Sequence, residues 1–397
     1  MQPLKNFVII LRELHEIIRD YEKKYLILIL FIFTILSSTV EVLTIGSLIP
    51  LMKVLINTET YVSGANDIFK QIITILNVTD IKKLIIIIFT ILIIFSYLLK
   101  ILLIWMSAVV TYDISLFLNN KIFKNTISKN YTYFVNSNTS MFLSNQEKTE
   151  HVRGTIFSAV QLFVSLILAG SIIIFLFYLN FKVALLISIF VILSYSFFYT
   201  NLKKKLIFLS NEHVLTINDR FKFLIESSEN IKEIKLRNLK NFFINKFNEI
   251  ILRIKYLIIV STLIHAIPGQ LILLFGTIFL LSIMYYYSVS DEGLIENVPF
   301  IAALILAAQR IFPQAQNVFI SLAGIKEYRN SLSDIKALYP KKDENIDKSN
   351  SLKNKIIINK NFELKNIYFK HSNEKENLFE DTNIKFEINK FYSIKGP

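Results

Sequence analysis

Six long apolar runs constrain this chain more than any other feature. They lie at about 25–51, 84–111, 156–179, 181–200, 256–288 and 298–325. Each is long enough to cross a bilayer, because about 20 helical residues rising 1.5 Å each span its core. The third and fourth are separated only by the four residues Leu179 to Lys182, which implies a tight hairpin at the membrane surface. Composition agrees: 53% of residues are hydrophobic and only 19% charged. A soluble domain carries closer to 25% charged residues. The formal charge of +13 would point to nucleic acid in a soluble protein. In a membrane protein it reflects Lys and Arg kept on the cytoplasmic side. No nucleic-acid partner is expected.

Loop charge sets the orientation. Lys5, Arg12, Arg19, Lys23 and Lys24 precede the first run. Lys121, Lys124, Lys129, Lys148 and Arg153 follow the second, and a denser set from Lys203 to Lys246 follows the fourth. The alternate loops are poorer; the last of them, "VSDEGLIEN", has neither Lys nor Arg. The positive-inside rule places both termini in the cytoplasm. Residues 1–24 form an amphipathic elbow, with Leu4, Phe7, Val8, Leu11 and Ile18 near helical spacing. No secretory signal peptide is read there, since Lys5, Arg12, Glu13, Glu16 and Arg19 interrupt any apolar core.

Several chemistries are excluded. The chain has no cysteine, so disulfides, thiolate metal sites and thiol catalysis are absent. Its five histidines, at 15, 151, 213, 265 and 371, show no metal-ligand spacing. No metal site is expected.

The connections between runs are informative. Residues 112–155 and 201–255 contain a single glycine, Gly154, and no proline, and they keep helical patterning. The spans are therefore expected to continue as helices well into the cytosol. After 326 the character changes. A linker over 327–360 includes the polar stretch "KKDENIDKSNSLKNKIIINK". Residues 361–397 then read as strands: "FELKNIYFKH", a polar turn, "LFEDTNIKFEI" with Ile384 and Phe386 alternating with Lys385 and Glu387, and "KFYSIKGP".

An elbow, six spans, two long cytoplasmic helical hairpins, a linker and strands ending in Gly-Pro resemble, in that order, an ABC exporter half-transporter. The resemblance implies a mainly α, polytopic membrane fold: a six-span domain over 25–326, followed by the first strands of a nucleotide-binding domain over 361–397. Gly396 and Pro397 stand where that family opens its Walker A loop, and the chain is read as cut there. Walker B, the signature and the switch regions are not in the sequence, so this stretch cannot itself hydrolyse ATP. His371 aligns with the aromatic residue that stacks on adenine; it either stacks there or is an exposed loop histidine beside Phe369 and Tyr368. Residues 130–154 and 224–238 resemble the two coupling loops. Asn66–Asn77, in the first outer loop, has helical spacing. An extra helix at this place is similar to bacterial lipid-linked oligosaccharide flippases.

The resemblance further implies a homodimer in the bacterial inner membrane, driven by ATP and Mg²⁺, that moves an amphiphile through contact with membrane lipid. Peptide, drug or lipid A is the alternative cargo. A six-span channel or permease without an ATPase is the rival class. Nine glycines leave little material for a loop-built selectivity filter. Glu41, Lys100 and Arg310 lie inside apolar runs, where a charge costs at least about 2.5–3.5 kcal/mol. Two readings stand. Lys100 and Arg310 bind an anionic headgroup in a substrate cavity, or they snorkel, pair with Glu41 or sit below the membrane. The alanines of "IAALILAAQR" are expected to permit close helix packing, and Tyr285, Tyr286 and Tyr287 to form an interfacial belt.

Overall fold

The computed structural model describes residues 16, 18–56, 81–129, 131–136, 139–289, 294–339, 361–369, 377–387 and 390–393. The chain divides into two compact units, 1–340 and 341–397.

The first unit is helical. Its elements are α1 (Lys24–Ile56), α2 (Ile81–Ile127), α3 (Tyr131–Asn136), α4 (Thr139–Leu179), α5 (Phe181–Glu229), α6 (Ile231–Leu236), α7 (Lys240–Val289), α8 (Leu294–Glu327) and α9 (Arg329–Ala337). Six of these, α1, α2, α4, α5, α7 and α8, are long and apolar enough to cross a membrane. The elbow expected over 1–24 and the outer-loop helix at 66–77 fall largely or wholly outside the described residues.

Helix length separates the spanning parts from those outside the bilayer. α5 has 49 residues and α7 has 50. At 1.5 Å per residue each runs about 75 Å, more than twice a ~30 Å hydrocarbon core. The helices therefore extend far beyond the bilayer, as the shortage of Gly and Pro in 201–255 predicts. The break between α4 and α5 is one residue, Asn180. It is extended (φ −155°), and its side chain accepts from the Val183 N–H at 3.2 Å, capping α5.

The far end of α5 turns through α6 and Asn238, whose φ of 51° is left-handed. The Leu239 N–H reaches the Ile234 carbonyl at 2.9 Å, and the Asn238 N–H reaches Lys235 at 3.3 Å. This pair of bonds is a Schellman closure, with Asn in the position glycine usually holds.

The packing of α1 departs from that of a helix in a soluble protein. The buried face of α1 carries Thr34, Ser37, Ser38, Glu41 and Thr44, while Leu28, Ile32 and Leu43 are exposed. Three of the hydroxyls are satisfied locally: Thr34 donates to the Leu30 carbonyl at 2.7 Å, Ser38 to Ile35 at 2.8 Å and Thr44 to Val40 at 2.8 Å, while Ser37 Oγ has no hydrogen-bond partner among the described residues. Apolar side chains facing outward and small polar ones facing inward is the arrangement lipid selects, because tails solvate Leu and Ile without penalty. Tyr285, near the end of α7, is exposed.

α8 is the most enclosed helix. Ala303, Ala307, Ala308, Ala315 and Ala323 are buried along it. The alanine stripe does what its sequence predicts and admits neighbours closely. Gly276 on α7 sits where a Cβ would come within 2.6 Å of the Phe312 ring. Residues 329–337, placed in the linker from sequence, form α9. Its Leu332 and Ile335 are buried in one cluster with Met106, Ile114, Val152 and Ile325.

The second unit holds an antiparallel pair, β1 (Asn361–Phe369) and β2 (Phe379–Glu387). The register pairs Phe362 with Phe386 and Leu364 with Ile384, with irregularities near Asn366 and Asp381, both at positive φ. Thr382, Ile384 and Phe386 alternate with more exposed neighbours, as a period of two requires. Phe362, Tyr368, Phe369 and Leu378 remain exposed.

Candidate functional site

Three polar constellations interrupt the apolar packing. The first lies between α1, α2 and α8. Glu41 is fully buried, Arg310 is 9% exposed, and the Lys100 side chain is 23% exposed. Lys100 Nζ donates to Glu41 Oε1 at 2.6 Å, and Arg310 approaches the same oxygen at 3.8 Å. Both cations also face the Tyr97 ring, Arg310 at 4.8 Å and Lys100 at 5.8 Å from its centroid. Three residues distant in sequence thus form one cluster with net charge of about +1. Glu41 Oε2 has no hydrogen-bond partner among the described residues. Gln309, adjacent in sequence to Arg310, points outward and is exposed. The geometry can hold an anion on its Lys100–Tyr97 side, since only that side reaches the surface.

The second constellation was not foreseen from sequence. His213 on α5 and His265 on α7 flank Glu327, the last residue of α8. His213 Nε2 lies 3.0 Å from Glu327 Oε1, and His265 Nε2 lies 3.6 Å from Oε2. Glu327 is fully buried. His151 on α4 packs edge-on against His213, with centroids 5.4 Å apart, and its Nδ1 lies 3.3 Å from the Ser331 hydroxyl. Tyr328 lies tilted beside both imidazoles, with ring centroids at 4.8 and 5.6 Å. Burial pushes its phenol above the ordinary tyrosine range, so it stays neutral. The cluster pins four helices at one level. Pro268 and Gln316 extend it: Pro268 lacks the N–H that would bond the Ile264 carbonyl, and one residue on, Gln316 Nε2 donates to the His265 carbonyl at 2.8 Å. No group of three or more acidic or histidine side chains among the described residues is arranged to hold a metal. The one sequence signal was Glu327 itself, an acid closing an otherwise apolar run.

The third ties the entry of α1 to α2 and to the end of α9. Lys121 donates to Asp20 at 2.8 Å and to Tyr339 at 2.7 Å, and Tyr339 donates to Asp20 at 3.0 Å. The Lys121 hydrogen bond holds the Asp20 carboxyl below its ordinary value, against the opposing effect of burial. Tyr21 donates to Asp113 at 2.5 Å.

A family profile described as the ABC transporter transmembrane region matches residues 25–313. That match covers most of the chain and all but the end of α8. The chain belongs to the ABC transporter membrane-domain family. Its fold is also similar to that of a bacterial Atm1-family ABC exporter solved with ATP bound. The TM-score is 0.63 at 12% identity, over 92% of this chain and 62% of that one. The chain thus spans less than two thirds of the exporter's length. No curated protein sequence matches.

As an ABC membrane domain, the chain carries its conspicuous feature outside the bilayer at the tip of the α5–α7 hairpin. Here α6 exposes Ile231 and Leu236, the latter 74% exposed, while Ile234 alone turns inward. α6 lies within the loop over 224–238. α3 and the start of α4 lie within the loop over 130–154. His371, Gly396 and Pro397, which the resemblance assigns to nucleotide binding, lie outside the described residues.

Proposed function

We propose that the protein is an ATP-driven exporter that flips an amphiphile across a bacterial inner membrane, with both termini in the cytoplasm. The cargo is a lipid-linked oligosaccharide. Two copies form a homodimer around a central cavity, and ATP with Mg²⁺ supplies the free energy of the cycle. The observation that carries this reading is the α5–α6–α7 hairpin. Helices of about 75 Å end in a tightly closed turn that buries Ile234 and leaves Ile231 and Leu236 exposed. Channels and simple permeases have no use for such a lever. An ATPase domain that grips Ile231 and Leu236 would move α5 and α7 together as rigid rods. Motion at α6 would then be felt where His213 and His265 meet Glu327. Residues 327–360 are proposed as the connection to the ATPase domain, whose first strands are β1 and β2.

In the membrane, Lys100 is the residue proposed to meet the cargo's anionic headgroup. Glu41 holds it in place, and Arg310 on the same carboxylate leaves the local charge near +1.

The test is ATP-dependent flipping by the purified full-length protein in proteoliposomes. A fluorescent lipid-linked oligosaccharide should become inaccessible to a membrane-impermeant quencher only with ATP. Leu236→Asp should abolish flipping while leaving the helical circular-dichroism signal intact. Transport of peptide, drug or lipid A instead would reassign the cargo. Flipping without nucleotide would overturn the exporter reading.

A further inference from the structure

Most cations buried in this fold are matched. Lys100 and Arg310 share Glu41, Lys121 binds Asp20, and Lys148 binds Asp334 at 2.7 Å. One group breaks the pattern. Lys326 stands on the last turn of α8, Lys203 on α5 and Arg329 at the first residue of α9, each half-buried. The charges that bear on the Lys326 ammonium are those of Lys203 and Arg329, both repulsive. Among the described residues, no carboxylate pairs with any of the three. Glu327, next in sequence to Lys326, is turned away and engaged by His213 and His265.

The arrangement is built, since packing enforces it. Ala323 of α8 packs with Leu202, Leu206 and Leu209 of α5, which brings Lys326 and Lys203 to the same junction. Asn330 ties the start of α9 to α5: its N–H donates to Ser210 at 3.2 Å and its Nδ2 to Asn211 at 2.6 Å. Tyr199 lies beneath Lys326, with the ammonium 5.1 Å from the ring centroid. Three like charges held together and partly desolvated disfavour their own charged forms unless an anion joins them.

Position supplies the class of anion. Lys326 directly follows the apolar run 298–325, Lys203 is the third residue after the run 181–200, and Tyr199 faces Lys326 at that level, where aromatic rings mark the interface. A phosphate at that depth belongs to a headgroup. Two ammonium point charges and one guanidinium fork fit the oxygens of a phosphate ester.

We propose that the α5–α8–α9 junction binds the phosphate of an anionic amphiphile through Lys203, Lys326 and Arg329. The site stands apart from Lys100, and its occupancy needs neither ATP nor transport, so failure of the exporter reading would leave it untouched.

Amine footprinting tests it directly. The full-length protein is placed in nanodiscs of phosphatidylcholine alone, of phosphatidylcholine with phosphatidylglycerol, or of phosphatidylcholine with inorganic pyrophosphate in solution. Acylation at each lysine is then read by mass spectrometry. Lys326 and Lys203 should be protected about fivefold or more by phosphatidylglycerol, on the scale of one basic contact to an anionic surface. Exposed Lys235 on α6 should not change. Arg329→Gln should weaken the protection, and Lys203→Gln combined with Arg329→Gln should remove it at Lys326. Protection by pyrophosphate as well would support the same phosphate chemistry reached from the cytosol. Equal labelling in all three preparations, or equal protection of Lys235, would overturn the proposal.

Discussion

Replacing Glu41 with Gln gives a sharp test of the intramembrane cluster. The substitution keeps shape and removes one negative charge that two cations share. At an effective dielectric constant of about 20, the 2.6 Å contact with Lys100 corresponds to about 6 kcal/mol of attraction. The 3.8 Å contact with Arg310 corresponds to about 4 kcal/mol. Desolvation of three charged groups offsets most of that sum, so the pairs add little net stability while intact. Breaking them is another matter. Arg310 is 9% exposed and would be left with its charge uncompensated beside Lys100. Removing one partner of a buried pair destabilises by about 3–5 kcal/mol. Lys100→Gln is milder, because Lys100 is the most exposed member and leaves Glu41 still paired with Arg310. Glu41→Gln combined with Arg310→Met should recover most of the loss, since the remaining Lys100 can extend toward water. The assay is a thermal ramp in detergent followed by intrinsic fluorescence, where Trp105 is the sole tryptophan. The expected order of loss is Glu41→Gln well above Lys100→Gln, with the double variant between them. A Glu41→Gln protein as stable as Lys100→Gln would refute the shared-carboxylate argument.

Other outcomes follow from the same packing. Ala307→Leu on α8 should destabilise by about 1–3 kcal/mol through overpacking, while Leu281→Ala on the outward face of α7 should be near neutral; the same thermal ramp compares them. Glu327→Gln should destabilise more than His265→Gln, because the carboxylate engages both imidazoles; comparing each with His213→Gln in a double-mutant cycle reads the coupling. Asn238→Val should cost about 1–2 kcal/mol through its left-handed backbone, and Asn238→Gly should not, as hydrogen exchange across α6 would report. Asp20 has a depressed carboxyl value in the folded state. Its contribution is therefore fully present above the ordinary carboxylate range and is lost as pH falls through the lower folded value. Asp20→Asn should flatten the acid limb of stability against pH, and an unchanged limb would count against this role.

The polytopic fold was legible because lipid solvation imposes a local rule. A run of about 20 apolar residues must satisfy its own backbone, and it does so as a helix whatever its neighbours do. The extensions beyond the bilayer were legible for a related reason: Gly and Pro are nearly missing from 112–155 and 201–255, so α2 runs on to Ile127 and α5 to Glu229 before they turn. The alternation around Ile384 and Phe386 likewise announced β2. α9 was missed because a nine-residue helix reads as linker until Leu332 and Ile335 find a core to enter.

The sites divide along the same line. Sequence alone identified Glu41, Lys100 and Arg310 as costly residues, because burial in hydrocarbon penalises charge wherever it occurs. It left open whether they bind a headgroup or one another. Only the crossing of α1, α2 and α8 brings two cations to one carboxylate oxygen. The histidines show the limit more plainly. Successive members of His151, His213 and His265 are 62 and 52 residues apart, on three different helices, with no spacing to link them. Their convergence on Glu327 and Tyr328 depends on how deep α4, α5, α7 and α8 sit against each other. That depth is set by the alanines of α8 and by the close approach at Gly276. Helix existence is written locally in hydropathy. Which faces meet, and at what level, is decided by tertiary packing of small residues, and the polar chemistry follows from it.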